Sequence, residues 1–482
     1  KMDWTPDHIL KATAGRLLYG RPDAHFDGVA IDSRTIAAGQ LFVAIRGEKH
    51  DGHTFIEQVA AKGVRGIIVS ADTETTLPHA RWRAQGVTCV AVADTTTALG
   101  RLAAYQRGRS QIPVVAITGS NGKTTTRQMT TLVMARRFNT LSTEGNFNNE
   151  IGLPLTLFRL NEAHQAAVLE LGMNHPGEMT RLGAICRPTI ALITMVGPAH
   201  LEFLGSLEGV ARAKGELMAQ VLPDGIVALN SDDPHVAALA RQTDRRCVFF
   251  GTAAHAQVQA RNIGETEQGV AFDLVLPKET IRIALKTPGR FMVTNALAAA
   301  TAGHLAGLTG AEIKAGLEAF APGKGRLHVV TSAGGVHVID DTYNANPASM
   351  AAAIEPGLHG GGHRHSEGAA QGAAGHHYIR RHAGAGYGGR TAAPRGGRQG
   401  RGRGRRVAVC VWAAWPCRPP GCRGSRHGRR AGPGGHQGRD RRRSAAAPDR
   451  RSLGAGQGLP GHGHGDGGGG HPTSTHKRTS LV

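Results

Sequence analysis

Residues 114–126 read VVAITGSNGKTTT, and this stretch decides the fold. Its apolar start predicts a β-strand, its two glycines predict a tight loop, and the stretch Thr125 to Arg136 is typical of a helix. Such a loop brings backbone N–H groups close to phosphate oxygens, the helix N-terminus adds positive potential, and Lys123 adds a full charge. The order of strand, loop, Gly-Lys-Thr and helix therefore predicts a nucleotide phosphate loop rather than a simple turn.

The predicted loop is shorter than the usual one. Only two residues separate its glycines, whereas the common pattern has four between them. We therefore interpret it as a contracted variant in which the hydroxyl of Thr124 reaches a magnesium ion that accompanies the nucleotide. The predicted nucleotide-binding residues of this segment are Gly119, Ser120, Asn121, Gly122, Lys123, Thr124 and Thr125.

The charge of the chain is concentrated at one end. Of the net +21 over 482 residues, residues 356–482 carry +19, with 22 Arg, 1 Lys and 4 acidic residues. This segment is also rich in Gly and poor in the apolar residues that build a core. We predict a disordered, low-complexity Arg/Gly-rich tail over 356–482.

Cysteine spacing and hydropathy indicate where in the cell the protein is expected. The six cysteines have neither disulfide-framework nor metal-finger spacing. No stretch approaches the ~18 apolar residues that a membrane span requires. We expect a cytoplasmic protein, a monomer with no membrane partner.

The rest of the chain predicts an α/β protein of three units. Residues 1–86 mix short strands and helices, such as the apolar run 66–70 and the helix-like stretch 55–62. Residues 87–318 alternate strand-like and helix-like runs, which predicts a mostly parallel sheet with helices on its faces. Residues 319–355 begin a third unit.

Three side chains are candidates for chemistry, two of them near predicted strand ends. Glu170 ends an apolar strand, where it would reach a cation beside the phosphate loop or simply be solvated. His200 follows another apolar run and is either a structural residue or a ligand. Lys214 lies on a predicted helix, and from the residues alone a solvated surface lysine is the better interpretation.

For each of two polar segments, the sequence is compatible with two roles. The segment GNFNNEIG, residues 145–152, holds three amides and suits a polar loop or a substrate clamp about equally. The segment DTYNANP, residues 341–347, follows an apolar strand, and Asp341 would bind ribose hydroxyls or cap a turn.

Over residues 1 to about 355, these segments resemble the Mur ligases of peptidoglycan synthesis in order and spacing. The stretch DSR at 32–34 is similar to their UDP-sugar-binding domain. The segments 145–152, LELGMNH at 169–175, and 341–347 resemble the members that join D-alanyl-D-alanine to UDP-N-acetylmuramoyl-tripeptide. The resemblance implies a UDP-sugar-binding domain, a central ATP-binding domain with a mostly parallel sheet, and a Rossmann-like third domain.

The resemblance also implies the reaction and its residues. ATP would drive amide formation through an acyl phosphate, and Lys123 would bind the terminal phosphates. Magnesium would be held by Thr124, Glu170, His200 and Lys214, the last converted by CO₂ into a carbamate. This reverses the surface interpretation of Lys214. The nucleotide would contact Asn295, Arg326 and Asp341, and the UDP-linked substrate would contact Ser33, Arg34, Asn146 and Asn149.

The chain departs from the family pattern in two places. Phe291 and Met292 stand where the family usually has His-Asn. The composition of 356–482 is that of a GC-rich coding region read out of frame, so we hypothesise a frameshift near residues 350–360 that replaces most of the third domain. We then expect little or no ligase activity from the chain as written.

Two alternative functions belong to other functional classes. The tail would be a nucleic-acid-binding arm if its Arg/Gly-rich sequence were native, although its four Tyr and Trp residues are sparse for a stacking platform. A folylpolyglutamate synthase-like ligase shares the contracted loop, but the DSR segment and the Asn-rich segment argue against it.

Overall fold

The computed structural model describes residues 3–47, 49–266 and 268–322, and beyond these the backbone of four strands. The described elements lie in one unit, Lys1–Pro416, and a second unit, Cys417–Val482, lies outside the described residues. None of the helices in the described ranges combines the length and the apolar character that crossing a bilayer requires.

The first sheet has five strands in the order β1-β5-β4-β3-β2, with β1 antiparallel and the others parallel. Every residue of β4 and β5 is buried, as expected for parallel strands covered on both faces. The strands are β1 (Arg16–Tyr19), β2 (Val29–Ala30), β3 (Leu41–Val43), β4 (Gly66–Ser70) and β5 (Thr88–Val92), and the helices are α1 (Pro6–Thr13), α2 (Ile56–Ala61), α3 (His79–Ala84) and α4 (Thr95–Gly108).

The second sheet has nine strands in the order β14-β13-β12-β11-β10-β9-β6-β8-β7. The strands from β12 to β7 in this order are parallel, and β13 and β14 extend the sheet as an antiparallel meander. They are β6 (Val114–Thr118), β7 (Thr140–Ser142), β8 (Ala166–Glu170), β9 (Ile190–Ile193), β10 (Ile226–Asn230), β11 (Arg246–Gly251), β12 (Val258–Thr266), β13 (Gly269–Leu276) and β14 (Glu279–Leu285).

Helices cover both faces of this sheet. They are α5 (Lys123–Met134), α6 (Gly152–Leu157), α7 (Glu178–Cys186), α8 (Leu201–Leu204), α9 (Leu207–Gly215), α10 (Pro234–Ala238), α11 (Phe291–Leu305) and α12 (Gly310–Glu318). Because side chains alternate along a strand, Val115 and Ile117 of β6 pack with α5, α11 and α12, whereas Val114 and Ala116 pack with α7 and α9.

The order of the central strands positions the site. Strand β6 lies between β8 and β9, so the chain leaves β6 toward one side of the sheet and returns on the other. At such a switch point the loops that follow parallel strands diverge and leave a crevice. The loop after β6, Glu170 at the end of β8 and the segment after β9 therefore meet at one edge.

A third sheet contains strands from the predicted tail. Its order is β15-β16-β18-β17, with β15 antiparallel to β16 and the other pairs parallel. The strands are β15 (His328–Thr331), β16 (His337–Asp340), β17 (Tyr378–Arg380) and β18 (Val407–Val411). Sequence reasoning did not predict β17 and β18, although VAVCV has the β-branched composition of a strand. The other residues of 356–482 lie outside the described part.

Candidate active site at the phosphate loop

The loop 119–122 can only be built with its two glycines. Gly119 has φ +152°, and a Cβ there would lie 1.9 Å from Oγ1 of Thr194. Gly122 has φ +80°, in the left-handed region, and its Cβ would lie 2.4 Å from Oδ1 of Asn295. The loop is thus packed between the segment after β9 and helix α11, with the N-terminus of α5 at its end.

Hydrogen bonds hold the loop in place. The hydroxyl of Thr194 donates to the carbonyl of Asn121 at 2.7 Å, and the backbone N–H of Ser120 donates to the carbonyl of Met195 at 2.8 Å. The ammonium of Lys123 donates to the carbonyls of Gly119 at 2.8 Å and Ser120 at 3.3 Å. Lys123 therefore lies folded over the loop that it is predicted to serve.

Glu170 is buried in a polar network rather than solvated, with 3% of its surface exposed. Its Oε1 accepts hydrogen bonds from Nδ2 of Asn148 at 2.9 Å and from the hydroxyl of Thr124 at 3.2 Å. Its Oε2 pairs with Nε of Arg127 at 3.3 Å. The structure thus brings together Thr124 and Glu170, as the sequence predicts.

Arg127 is a site residue that sequence reasoning missed. Its Nη1 donates to the carbonyl of Thr143 at 2.6 Å and to the hydroxyl of Ser142 at 3.3 Å, which ties helix α5 to the end of β7. Arg127 follows Thr124 by three positions, so both side chains lie on one helix face. That spacing is the pattern that would have found it.

Lys214 is buried in α9, with 3% of the residue exposed, so the surface interpretation is wrong for it. Burial and the positive charge of Lys123 lower the pKa of Lys214 to about 7. Burial also lowers the pKa of His200, and the charges of Lys214 and Lys123 lower it further. The charge of Lys123 thus favours the neutral forms of both Lys214 and His200, and the charge of Lys214 favours neutral His200.

The cleft over the loop has a volume of about 1030 Å³. Most predicted site residues line it, namely Ser120, Asn121, Gly122, Lys123, Thr124, Thr125, Asn146, Asn149, Glu170, His200 and Asn295. Gly119 and Lys214 are outside the lining set. In the described ranges no three His, Cys, Asp or Glu side chains form a group that could hold a metal by themselves.

Asn149 and Asn295 each have a structural partner as well as a place in the lining. The side-chain oxygen of Asn149 accepts from the backbone N–H of Gly152, the first residue of α6, at 2.8 Å. Oδ1 of Asn295 accepts from the hydroxyl of Thr126 at 3.2 Å, and its Nδ2 lies 3.7 Å from Sδ of Met292.

Two further predicted residues, Ser33 and Arg34, do not line this cleft. Ser33 and Arg34 belong to the first α/β unit, where Nζ of Lys62 donates to their carbonyls at 2.8 and 2.9 Å. Arg34 also pairs with Asp32 at 2.7 Å. Arg326 and Asp341 lie outside the described residues.

Two family models match this chain. The Mur ligase family catalytic domain matches residues 25–107, and the Mur ligase middle domain matches residues 117–303. The chain is 39% identical over 335 residues to the UDP-N-acetylmuramoyl-tripeptide--D-alanyl-D-alanine ligase of Escherichia coli (strain K12), covering 69% of this chain and 72% of that one. The chain belongs to the Mur ligase family.

Solved structures of Mur ligases have the same fold. MurF from Acinetobacter baumannii superimposes with a TM-score of 0.68 at 36% identity, covering 74% of this chain and 77% of that one. MurF ligase from Thermotoga maritima, solved in complex with ADP, gives a TM-score of 0.62 at 27% identity, covering 69% and 74%. The Mur ligase middle-domain match includes the loop, Glu170, His200, Lys214 and Asn295.

Proposed function

We propose that this chain is built to join D-alanyl-D-alanine to UDP-N-acetylmuramoyl-tripeptide at the expense of ATP, in peptidoglycan precursor synthesis. One observation carries the proposal. Relatives with this ligase name share 32–39% identity with the chain over about 70% or more of their length. The region matched by the Mur ligase middle-domain model, residues 117–303, includes the phosphate loop and the buried Glu170 beside it.

The first step would activate the tripeptide. A carboxylate oxygen of its last residue attacks the γ-phosphorus of ATP, and the bond from that phosphorus to the β,γ-bridging oxygen breaks. ADP departs, and the tripeptide then carries an acyl phosphate. Lys123 and the N-terminus of α5 stabilise the charge on the phosphates. Catalysis of this kind is mainly positioning and charge neutralisation.

Magnesium fits the donors around Glu170. The hydroxyl of Thr124 and the carboxylate of Glu170 already face each other, and oxygen donors suit this cation. We propose that His200 and a carbamate on Lys214 complete the set. The buried amine of Lys214, with its lowered pKa, is partly neutral near pH 7, and only a neutral amine adds to CO₂. Bound magnesium would neutralise phosphate charge.

The second step would form the amide. The amine of D-alanyl-D-alanine attacks the acyl carbon, the bond to the phosphate oxygen breaks, and inorganic phosphate leaves while the nitrogen loses a proton. We propose that Asn146 and Asn149 contact the UDP-linked substrate with Ser33 and Arg34, and that Asn295, Arg326 and Asp341 contact the nucleotide. We propose a cytoplasmic, monomeric enzyme.

An assay on two proteins tests the function. Ligation with ATP, UDP-N-acetylmuramoyl-tripeptide and D-alanyl-D-alanine is measured for the chain as written and for a version with the reading frame corrected after residue 355. We expect pentapeptide product from the corrected protein and little or none from the chain as written. A corrected protein that instead glutamylates folates, and leaves the UDP-tripeptide unchanged, would refute the proposal.

A further inference from the structure

The segment that follows β9, residues 194–197, supports the phosphate loop directly. Oγ of Ser120 accepts from the backbone N–H of Gly197 at 2.9 Å and donates to the carbonyl of the same residue at 3.1 Å. A Cβ on Gly119 would lie 3.2 Å from the backbone nitrogen of Met195, so the loop lies against this segment. A displacement of the segment would therefore displace the loop with it.

Two side chains that follow β10 hold this segment in turn. Oδ2 of Asp233 accepts from the backbone N–H of Val196 at 2.7 Å. Nδ2 of Asn230, a residue that is 4% exposed, donates to the carbonyl of Thr194 at 2.8 Å. Strand β10 pairs in parallel with β9, which brings the chain after β10 next to the segment after β9. The segment 194–197 thus connects the phosphate loop to Asp233 and Asn230.

The two carboxylate oxygens of Asp233 have different partners. Oδ1 accepts from the backbone N–H groups of His235, at 2.9 Å, and Val236, at 3.2 Å, and so caps α10. Oδ2 is the atom that accepts from Val196. Capping needs one oxygen, and Ser or Asn caps a helix about as well as Asp does. The second oxygen is therefore what an aspartate adds at this position.

The charge of Asp233 does not favour the proposed ligand. Asp233 lines the same cleft as Lys123, and a carboxylate repels phosphate groups. A neutral cap would avoid this repulsion, but Ser and Asn each have only one side-chain oxygen. The bond to Val196 is thus a benefit that offsets an unfavourable charge.

We propose that Asp233 is a positioning residue of the phosphate loop, which it supports by holding Val196, with Asn230 as a second support. The proposal rests on the proposed function, because it takes the loop to bind nucleotide phosphates. Asp233 acts through the backbone of the segment 194–197. Backbone N–H groups bind a phosphate well only when the loop already holds them in the right geometry, so a loosened segment lowers the affinity.

The variant Asp233→Ser tests this, because it keeps a capping oxygen and removes the bond to Val196. Calorimetric titration of the full chain with a non-hydrolysable ATP analogue and magnesium, well below the unfolding temperature, measures the affinity. We expect it to fall about 10-fold, the worth of one charge-assisted hydrogen bond. Loss of a nearby negative charge would by itself strengthen phosphate binding, so the direction of the change separates the two effects.

An equal or higher affinity in folded Asp233→Ser would overturn the inference and leave the proposed function standing. No binding of the analogue by the folded parent chain would overturn both. If Asp233→Ser does not fold, Asp233→Asn, which also has a single side-chain oxygen, takes its place with the same expectation.

A matched control and a second measurement separate positioning from general stability. Asp94→Ser makes the same substitution at the cap of α4, where Oδ1 of Asp94 accepts from the backbone N–H of Thr97 at 2.6 Å, and should leave the affinity unchanged. Amide hydrogen exchange of the peptide that carries residues 119–122 should be faster in Asp233→Ser than in the parent, and unchanged in Asp94→Ser. Equal exchange of this peptide in both variants would contradict the positioning role.

Discussion

The side chains of Arg127 and Glu170 form a buried ion pair, with Nε of the arginine 3.3 Å from Oε2 of the glutamate. The two side chains are 11% and 3% exposed. A buried charge without its partner is costly, so each ion here depends on the other. The pair also leaves Oε1 directed toward Thr124 and Asn148, on the side where we propose a cation.

Removal of Arg127 should therefore destabilise the fold. We expect Arg127→Ala to lower the free energy of unfolding by about 3–5 kcal/mol, since it leaves a buried carboxylate unpaired. Urea denaturation followed by circular dichroism measures this. Arg181→Ala removes a more exposed partner of Glu150 and should cost much less. If both variants lowered the free energy of unfolding equally, burial would not determine how much the Arg127–Glu170 pair stabilises the fold.

Lys123→Ala should weaken the binding of a non-hydrolysable ATP analogue by about 10-fold to 100-fold, the worth of charge-assisted hydrogen bonds to phosphate. The frame-corrected variant should form no acyl phosphate. Calorimetric titration measures affinity, and Lys314→Ala, which removes an exposed helix ion pair with Glu318, is the control. Retained ligase turnover in Lys123→Ala would remove this lysine from the mechanism.

Much of the fold, but little of the site network, could be predicted from sequence. The apolar run 66–70 is strand β4, and the helix predicted over 55–62 is α2, Ile56–Ala61. Local periodicity carries this information because neighbouring residues share one element. The predicted helix that carries Lys214 is α9, which ends at Gly215, where a 3₁₀ turn, Glu216–Gln220, follows.

The Arg127–Glu170 pair could not be predicted in the same way. The two residues are 43 positions apart and meet only because β6 pairs with β8. The burial of Lys214 could not be predicted either, because the helix that carries it has an amphipathic sequence. Such contacts depend on the strand order, which local pattern does not encode.

Lys214 should make stability depend on pH. Its pKa of about 7 in the folded chain lies below the ordinary 10.5, so between these values the unfolded chain binds more protons and stability rises with pH. In CO₂-free buffer, Lys214→Met should be more stable than the parent at pH 7. This advantage should shrink by about 1.4 kcal/mol per pH unit as the pH rises toward 10.5. A pH-independent difference would contradict the buried, neutral lysine.

Chemical rescue tests the proposed carbamate on Lys214. The frame-corrected Lys214→Ala should be inactive, because the variant cannot form the anion, and formate or acetate should restore part of the ligation rate by filling the vacated space. Lys62→Ala, which removes a lysine outside the cleft lining, should not respond to these anions. Full activity of Lys214→Ala without added anion would return this residue to a structural role.

Glu216 should stabilise the position of the helix that carries Lys214. Its carboxylate accepts from the backbone N–H groups of Gly177, at 2.9 Å, and Thr180, at 3.1 Å, and so caps α7 from another element. We expect Glu216→Ala to lower the free energy of unfolding by about 1–2 kcal/mol, as loss of a helix cap does. Thermal unfolding measures this. Glu208→Ala, on the exposed first turn of α9, should cost less, about 0.3–1 kcal/mol.

In the proposed function, a phosphate that binds Lys123 takes the place of hydrogen bonds that its ammonium makes in the structure. Its ammonium already holds two loop carbonyls, so a phosphate must replace these acceptors rather than meet a hydrated cation. The affinity that Lys123 adds at the proposed phosphate site is therefore the difference between its bonds to phosphate and its present bonds to the two loop carbonyls.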